Sequence, residues 1–139
     1  MLNSYKIAIT GASGWVGKNL LESLFQNLNK KSFKNNLFLY GSQKKEITIN
    51  SHIKNLKVRN LNEFHNDAIE NNFDIIFHCA FVVREHINKF GIPRYIELNN
   101  EITNEVIKAI KKIKYSKLIL FSSGAAAPYK TISTRKLLQ

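Results

Sequence analysis

The stretch Lys6–Leu24, KIAITGASGWVGKNLLESL, restricts the fold more than any other part of the chain. An apolar run, Tyr5–Thr10, ends on Gly11. From Gly14 to about Asn29 the apolar positions Val16, Leu20, Leu24 and Leu28 recur every fourth residue. This is a strand followed at once by an amphipathic helix. Gly11, Gly14 and Gly17 fill the junction in GxxGxxG spacing. The first allows a tight turn, the second lets an anion approach the backbone, and the third lets helix and strand touch. Unpaired amides and the helix dipole would then face a pyrophosphate. The pattern points to dinucleotide binding, with a purely structural turn as the alternative.

The remaining segments repeat the alternation. Asn35–Gly41 (NNLFLYG) reads as a second strand, NLKVRNL as a third, and NEFHNDAIENN as a short helix. Phe73–Phe81 (FDIIFHCAF) is a continuous apolar run, as expected of a strand covered on both faces. Ile102, Val106, Ile110 and Ile113 stripe a further helix, and SKLILFSS is a fifth strand. Strands separated by helices imply an α/β fold: a Rossmann-type doubly wound parallel sheet in the order 3-2-1-4-5. The alternating piece EITIN has no clear place in this scheme. Val82–Glu97 lacks periodicity and lies beyond the carboxyl end of the fourth strand, where ligands of such sheets sit.

Length and composition set outer bounds. A chain of 139 residues suits one domain, here residues 1–125, with 126–139 read as an irregular tail. No apolar run approaches the roughly 18 residues of a membrane span, and the N-terminus has no secretory signature. Cys79 is the only cysteine, which excludes an internal disulfide and agrees with a reducing compartment, the cytoplasm. Lys and Arg outnumber Asp and Glu by 21 to 10. The lysines are scattered without an Arg-rich run, so a solvated surface is the reading adopted and nucleic-acid binding rests on charge alone. His52, His65 and His86 lie far apart with no ligand spacing, so no metal site is expected.

Four segments together resemble the extended short-chain dehydrogenase/reductases, the NAD-dependent epimerase/dehydratase group. TGASGWVGKNL is similar to that family's TGAsGfiG opening, and FHCAF to its HxAA strand end. LNNEITNEVIKAI resembles the helix whose asparagine, here Asn99, braces the fourth strand. LILFSSGAAAPY resembles the strand whose second serine, here Ser123 with Ser122 as runner-up, touches the reacting group. The resemblance implies a cofactor site. Gly11, Ser13, Gly14, Trp15, Val16 and Gly17 would hold the pyrophosphate, Ala80 and Phe81 would line the dinucleotide, and Asn60 and Leu61 would flank the adenine. His78 would be a packed, hydrogen-bonded histidine. Cys79 reads as an inert buried thiol, and Arg84 as a solvent-facing side chain, with a grip on a substrate phosphate as its alternative. The resemblance also implies a nucleotide-sugar substrate in a full-length relative.

Departures from the family pattern set further expectations. The family's YxxxK acid/base is absent downstream of Ser123, where Tyr129 is followed four residues later by Ser133. The one literal match, Tyr40–Lys44, falls at the end of the second strand and reads as coincidence. A C-terminally shortened chain without a substrate domain, inactive alone, is therefore expected. A non-catalytic module that senses a dinucleotide or binds a partner is the alternative. The second strand ends in Gly41 and Ser42, with Lys44 and Lys45 beyond, where NAD-preferring members carry a carboxylate. This favours NADP over NAD. A sheet ending at the fifth strand would leave an open edge, and with it a tendency to homo-oligomerise.

Overall fold

The computed structural model describes residues 2–114 and 116–121. The polypeptide runs β1 (Ile7–Thr10), α1 (Trp15–Asn27), α2 (Lys30–Asn35), β2 (Leu37–Gly41), β3 (Lys45–Ile47) and β4 (Leu56–Asn60). It continues as α3 (Phe64–Asn71), β5 (Ile75–His78), α4 (Ile87–Phe90), α5 (Ile92–Ile110) and β6 (Lys117–Leu120). The sheet order is β3-β4-β2-β1-β5-β6. Its five parallel strands, β4-β2-β1-β5-β6, reproduce the 3-2-1-4-5 order expected from the sequence. The outermost strand, β3, is antiparallel to β4, with Ile47 opposite Leu56. It takes in Glu46 and Ile47, the first two residues of the EITIN segment. Only Ile47 of its three residues is buried, so there was too little alternation to read.

β1 sits at the centre, and all four of its residues are buried. Ile7 and Thr10 align with Leu37 and Tyr40 on one side, and with Ile75 and His78 on the other. Successive side chains point to opposite faces. Ile7, Ile9, Leu39 and Val58 therefore pack with Leu21 and Leu24 of α1 in one layer. Ala8, Tyr40 and Ile76 pack with Phe64, Val106 and Ala109 under α3 and α5 in the other.

Three helix boundaries differ from the periodic reading; at one of them Ile113, the last residue of its stripe, lies past the end of α5 at Ile110. The stripe that includes Leu28 outlasts its helix: Leu28 is extended, and the Asn29 side chain accepts from the Ser32 amide at 2.8 Å to start α2. Leu28 stays buried because the chain turns back over the sheet. α5 begins ten residues before Ile102. Pro93 lies in its first turn, where a missing N–H costs nothing, and Gly91 ahead of it takes a φ of +76°.

Tyr40, of the literal YxxxK match, is fully buried, and its hydroxyl donates to Asp67 Oδ2 at 2.8 Å. Burial first, and then the Asp67 carboxylate, push its pKa far above the ordinary phenol value. Such a group cannot work as an acid/base near neutrality. Arg59 donates to the same oxygen at 2.7 Å. Asp67→Ala removes the acceptor from a buried hydroxyl and is expected to cost about 2 kcal/mol, whereas Asp67→Asn, which keeps an oxygen, costs less. Urea unfolding of the two variants checks the order.

Candidate functional site

The carboxyl ends of β1, β2, β4 and β5 meet at one rim, and the glycine turn rises from it. Gly11 has a φ of +72°, and the amides of Gly11 and Ala12 both donate to the Tyr40 carbonyl, at 2.9 and 3.2 Å. The Gly14 amide donates back to the Gly11 carbonyl at 3.0 Å, closing the turn. A Cβ at Gly11 would meet the backbone of Cys79 and Ala80 at 2.7–2.8 Å. At Gly17 it would lie 2.3 Å from the Gly11 oxygen and 2.7 Å from Ala12 Cα. At Gly14 the nearest atom is the Gly11 oxygen at 3.3 Å, and the position is exposed. The three glycines thus do different jobs. Gly11 and Gly17 let backbone touch backbone, and Gly14 keeps the mouth of the turn open.

α1 starts on Gly14 without a side-chain cap and without an acid in its first turn. The first bond closing this end runs from the Lys18 amide to the Gly14 carbonyl at 3.0 Å. Among the described residues, the amides of Trp15, Val16 and Gly17 have no acceptor. Three unbonded donors at the positive end of a thirteen-residue helix call for an anion.

A cleft of about 500 Å³ extends from this point. Gly11, Ser13 and Gly14 form one wall, Gly41, Ser42 and Leu61 another, and Ala80 and Phe81 continue it past β5. Seven of the residues expected from the sequence are therefore together: Gly11, Ser13, Gly14, Ser42, Leu61, Ala80 and Phe81. Gly17 is buried beneath the turn, and Trp15, 83% exposed, stands beside the cleft with Val16. Asn60 lies behind the wall. Its side chain accepts from the Asn62 amide at 3.0 Å and donates to the Ser42 carbonyl at 3.2 Å, fixing the β2 and β4 ends together. Asn99 also stands behind, and grips Val82 on both sides, accepting from its amide at 2.7 Å and donating to its carbonyl at 3.3 Å. Ser123 lies outside the described residues.

The far wall comes largely from the segment that the sequence placed beyond the fourth strand, though its individual residues were not singled out there. Val82, Val83, His86, Phe90, Leu98 and Ile102 complete an apolar trough. All but Ile102 fall in or next to the stretch without periodicity, and the Gly91-Ile92-Pro93 start signal would have revealed the helix that carries Leu98. Arg84 opens a 3-10 turn at Arg84–His86 and is exposed.

Beneath the cleft, Thr10 Oγ1 and His78 Nδ1 are 2.6 Å apart, and Oγ1 also accepts from the Ala80 amide at 3.4 Å. Thr10 thereby locks the ends of β1 and β5. Burial holds the His78 pKa below the ordinary 6.5. The unfolded chain takes up this proton first, so stability falls as pH drops below about 6.5 and is fully present above it. Urea midpoints at pH 7.5 and 5.5 should differ more for the wild type than for His78→Asn; equal differences would remove His78 from this role. Cys79 is buried, and burial pushes its thiol up to about 11, which leaves it unreactive near neutrality. Among the described residues no group of three or more His, Cys, Asp or Glu is gathered to hold a metal. No described helix is long and apolar enough to cross a membrane.

A doubly wound parallel sheet with a glycine turn and an uncapped helix start at its carboxyl rim defines a nucleotide-binding domain of Rossmann type. The family model described as "NAD dependent epimerase/dehydratase family" matches residues 7–137, and the chain belongs to that family. Among solved structures it is similar to the L-threonine dehydrogenase of Clostridium difficile, with a TM-score of 0.65 and 22% identity over 86% of this chain and 36% of that one. The nucleoside-diphosphate-sugar epimerase of Agrobacterium tumefaciens matches at 0.63 and 23% identity, over 89% of this chain and 39% of that one. The UDP-glucose 4-epimerase of Bifidobacterium longum, solved in complex with NAD+ and UDP, matches at 0.59 and 20%, over 85% and 37%. These likenesses carry the fold, and the chain spans less than two fifths of the length of each. No match was found among curated proteins.

Proposed function

We propose that this chain is a nicotinamide-dinucleotide-binding domain. The observation that carries the reading is the group of free amides at Trp15, Val16 and Gly17, at the helix start beside a cleft lined by Gly14, which has no side chain. The residues fit the cofactor. Its diphosphate would lie against the Gly11–Gly17 turn, its adenosine half between Ser42 and Leu61, and its nicotinamide half along Ala80 and Phe81. Bound there, the cofactor supplies hydride transfer; the residues of this chain bind it, orient it and exclude water. In the whole protein the substrate is a nucleotide sugar, with Ser123 on the substrate side. Support for that class comes from family membership.

NADP is preferred over NAD. β2 ends on Gly41 and Ser42, and the first carboxylate after it is Glu46, on β3. Lys44 stands nearby, 3.1 Å from Glu63. A 2′-phosphate at this corner would meet the Ser42 hydroxyl and share the Lys44 ammonium with Glu63, with no carboxylate on the strand end itself. Calorimetric titration with NADPH and NADH is expected to show single-site binding of both, a few-fold tighter for NADPH. Trp15, the only tryptophan, gives a second readout through fluorescence quenching. Absence of heat and of quenching with either nucleotide would overturn the reading, and tighter NADH binding would reverse the preference alone.

A further inference from the structure

The positive charge is not spread evenly. Residues 23–62 contain eight Lys and Arg side chains and a single carboxylate, Glu46. This segment surrounds a second cleft, of about 550 Å³, at the end of the sheet opposite the glycine turn. There the β2–β4 ladder starts only at Leu39 and Val58, so Leu37 and Leu56 lie below it without a partner across that ladder. The floor is apolar. Phe25 and Phe33 meet edge to face with ring centres 5.1 Å apart, and Ile53 closes over them from the β3–β4 loop. The loop is held by Asn50, whose side chain accepts from the amides of His52 and Ile53 at 2.9 Å each. Lys34, Lys54 and Lys57 line the same cleft; all three are exposed, and none has an ion-pair partner among the described residues. Glu46 faces Lys57 across the β3–β4 pair without forming a bridge.

We propose that this cleft binds an anionic amphiphile: an alkyl chain along the apolar floor beside Phe25 and Phe33, with a carboxylate or phosphate head held by Lys34, Lys54 and Lys57. The volume falls in the range of small-molecule sites, roughly 300–1,000 Å³. Charge complementarity selects the head, and the buried floor selects the alkyl chain. A nucleic acid fits less well, because base stacking needs an open aromatic face and Phe33 is only 8% exposed. The site is separate from the dinucleotide cleft and is independent of how that cleft is used.

Calorimetry with decanoate and with decyl phosphate distinguishes the two heads, and decanol serves as the uncharged control. The expected result is one saturable site for at least one of the acids, weakening as salt rises, with decanol at least about tenfold weaker. The variant Lys34→Glu/Lys54→Glu/Lys57→Glu changes only exposed side chains, so it should fold, and is expected to lose about tenfold or more in affinity. Lys111→Glu/Lys112→Glu/Lys114→Glu makes the same change in net charge elsewhere and should bind as the wild type does. Equal binding of decanol, equal loss in both triple variants, or no saturable binding would overturn the proposal. So would a single-stranded oligonucleotide that decanoate displaces, which would assign the cleft to nucleic acid.

Discussion

Gly17→Ala is expected to destabilise the domain by about 3 kcal/mol, a loss of roughly 10 °C in Tm. The sign is the instructive part. Gly17 lies inside α1, where alanine normally gains about 0.5–1 kcal/mol over glycine. Here the new methyl would stand 2.3 Å from the Gly11 oxygen and 2.7 Å from Ala12 Cα. Both are backbone atoms in a turn pinned to the Tyr40 carbonyl, so no side chain can swing away. Steric cost therefore exceeds propensity. The helix must back off the strand, and the free amides at its start move with it. Gly11→Ala should fail at least as badly. It adds left-handed strain of about 1–2 kcal/mol to contacts of 2.7–2.8 Å with the end of β5. Thermal and urea unfolding decide the matter; a Gly17→Ala midpoint equal to that of the wild type would mean the turn is looser than its geometry.

The difference between strong and weak sequence signals has a physical origin. β1, β2, β5 and the glycine turn were legible because burial on both faces forces a continuous apolar run, and because close backbone approach forces glycine. The strand order followed from the alternation of strand and helix together with crossover handedness. β3 was not legible, since a three-residue edge with two exposed positions carries no period. Val82–Phe90 escaped for a similar reason. Val83 and Phe90 are apolar yet more than a third exposed, lining a cleft instead of a core, so their spacing obeys neither period. The site was legible where the backbone makes it and obscure where side chains do. Asn60 and Asn99 lie in the same region, and their polar atoms hold loops in place: Asn60 ties Ser42 to Asn62, and Asn99 braces Val82 just past β5, the role the resemblance implies for it.

Gly14→Asp should separate binding from folding. Gly14 has φ −77° and ψ 172°, extended values open to any residue, and it is exposed. Aspartate is also among the best residues at a helix N-cap, and its carboxylate can accept from the amide two or three positions on. Stability should therefore hold or rise by up to about 1 kcal/mol. Binding should collapse, because the same carboxylate takes a donor meant for the dinucleotide and places a negative charge beside its diphosphate. Two like charges about 4 Å apart cost roughly 4 kcal/mol near a protein surface, so at least a hundredfold loss is expected. Asparagine isolates the components: Gly14→Asn caps the helix without the charge and should cost about tenfold. Gly14→Ala, whose methyl meets only the Gly11 oxygen at 3.3 Å, should lose the least. The order alanine, asparagine, aspartate, measured by Trp15 quenching on chains with equal Tm, is the signature of an anion seated on the helix start. A fully stable Gly14→Asp chain that still binds NADPH as the wild type does would move the diphosphate elsewhere and leave the free amides unexplained.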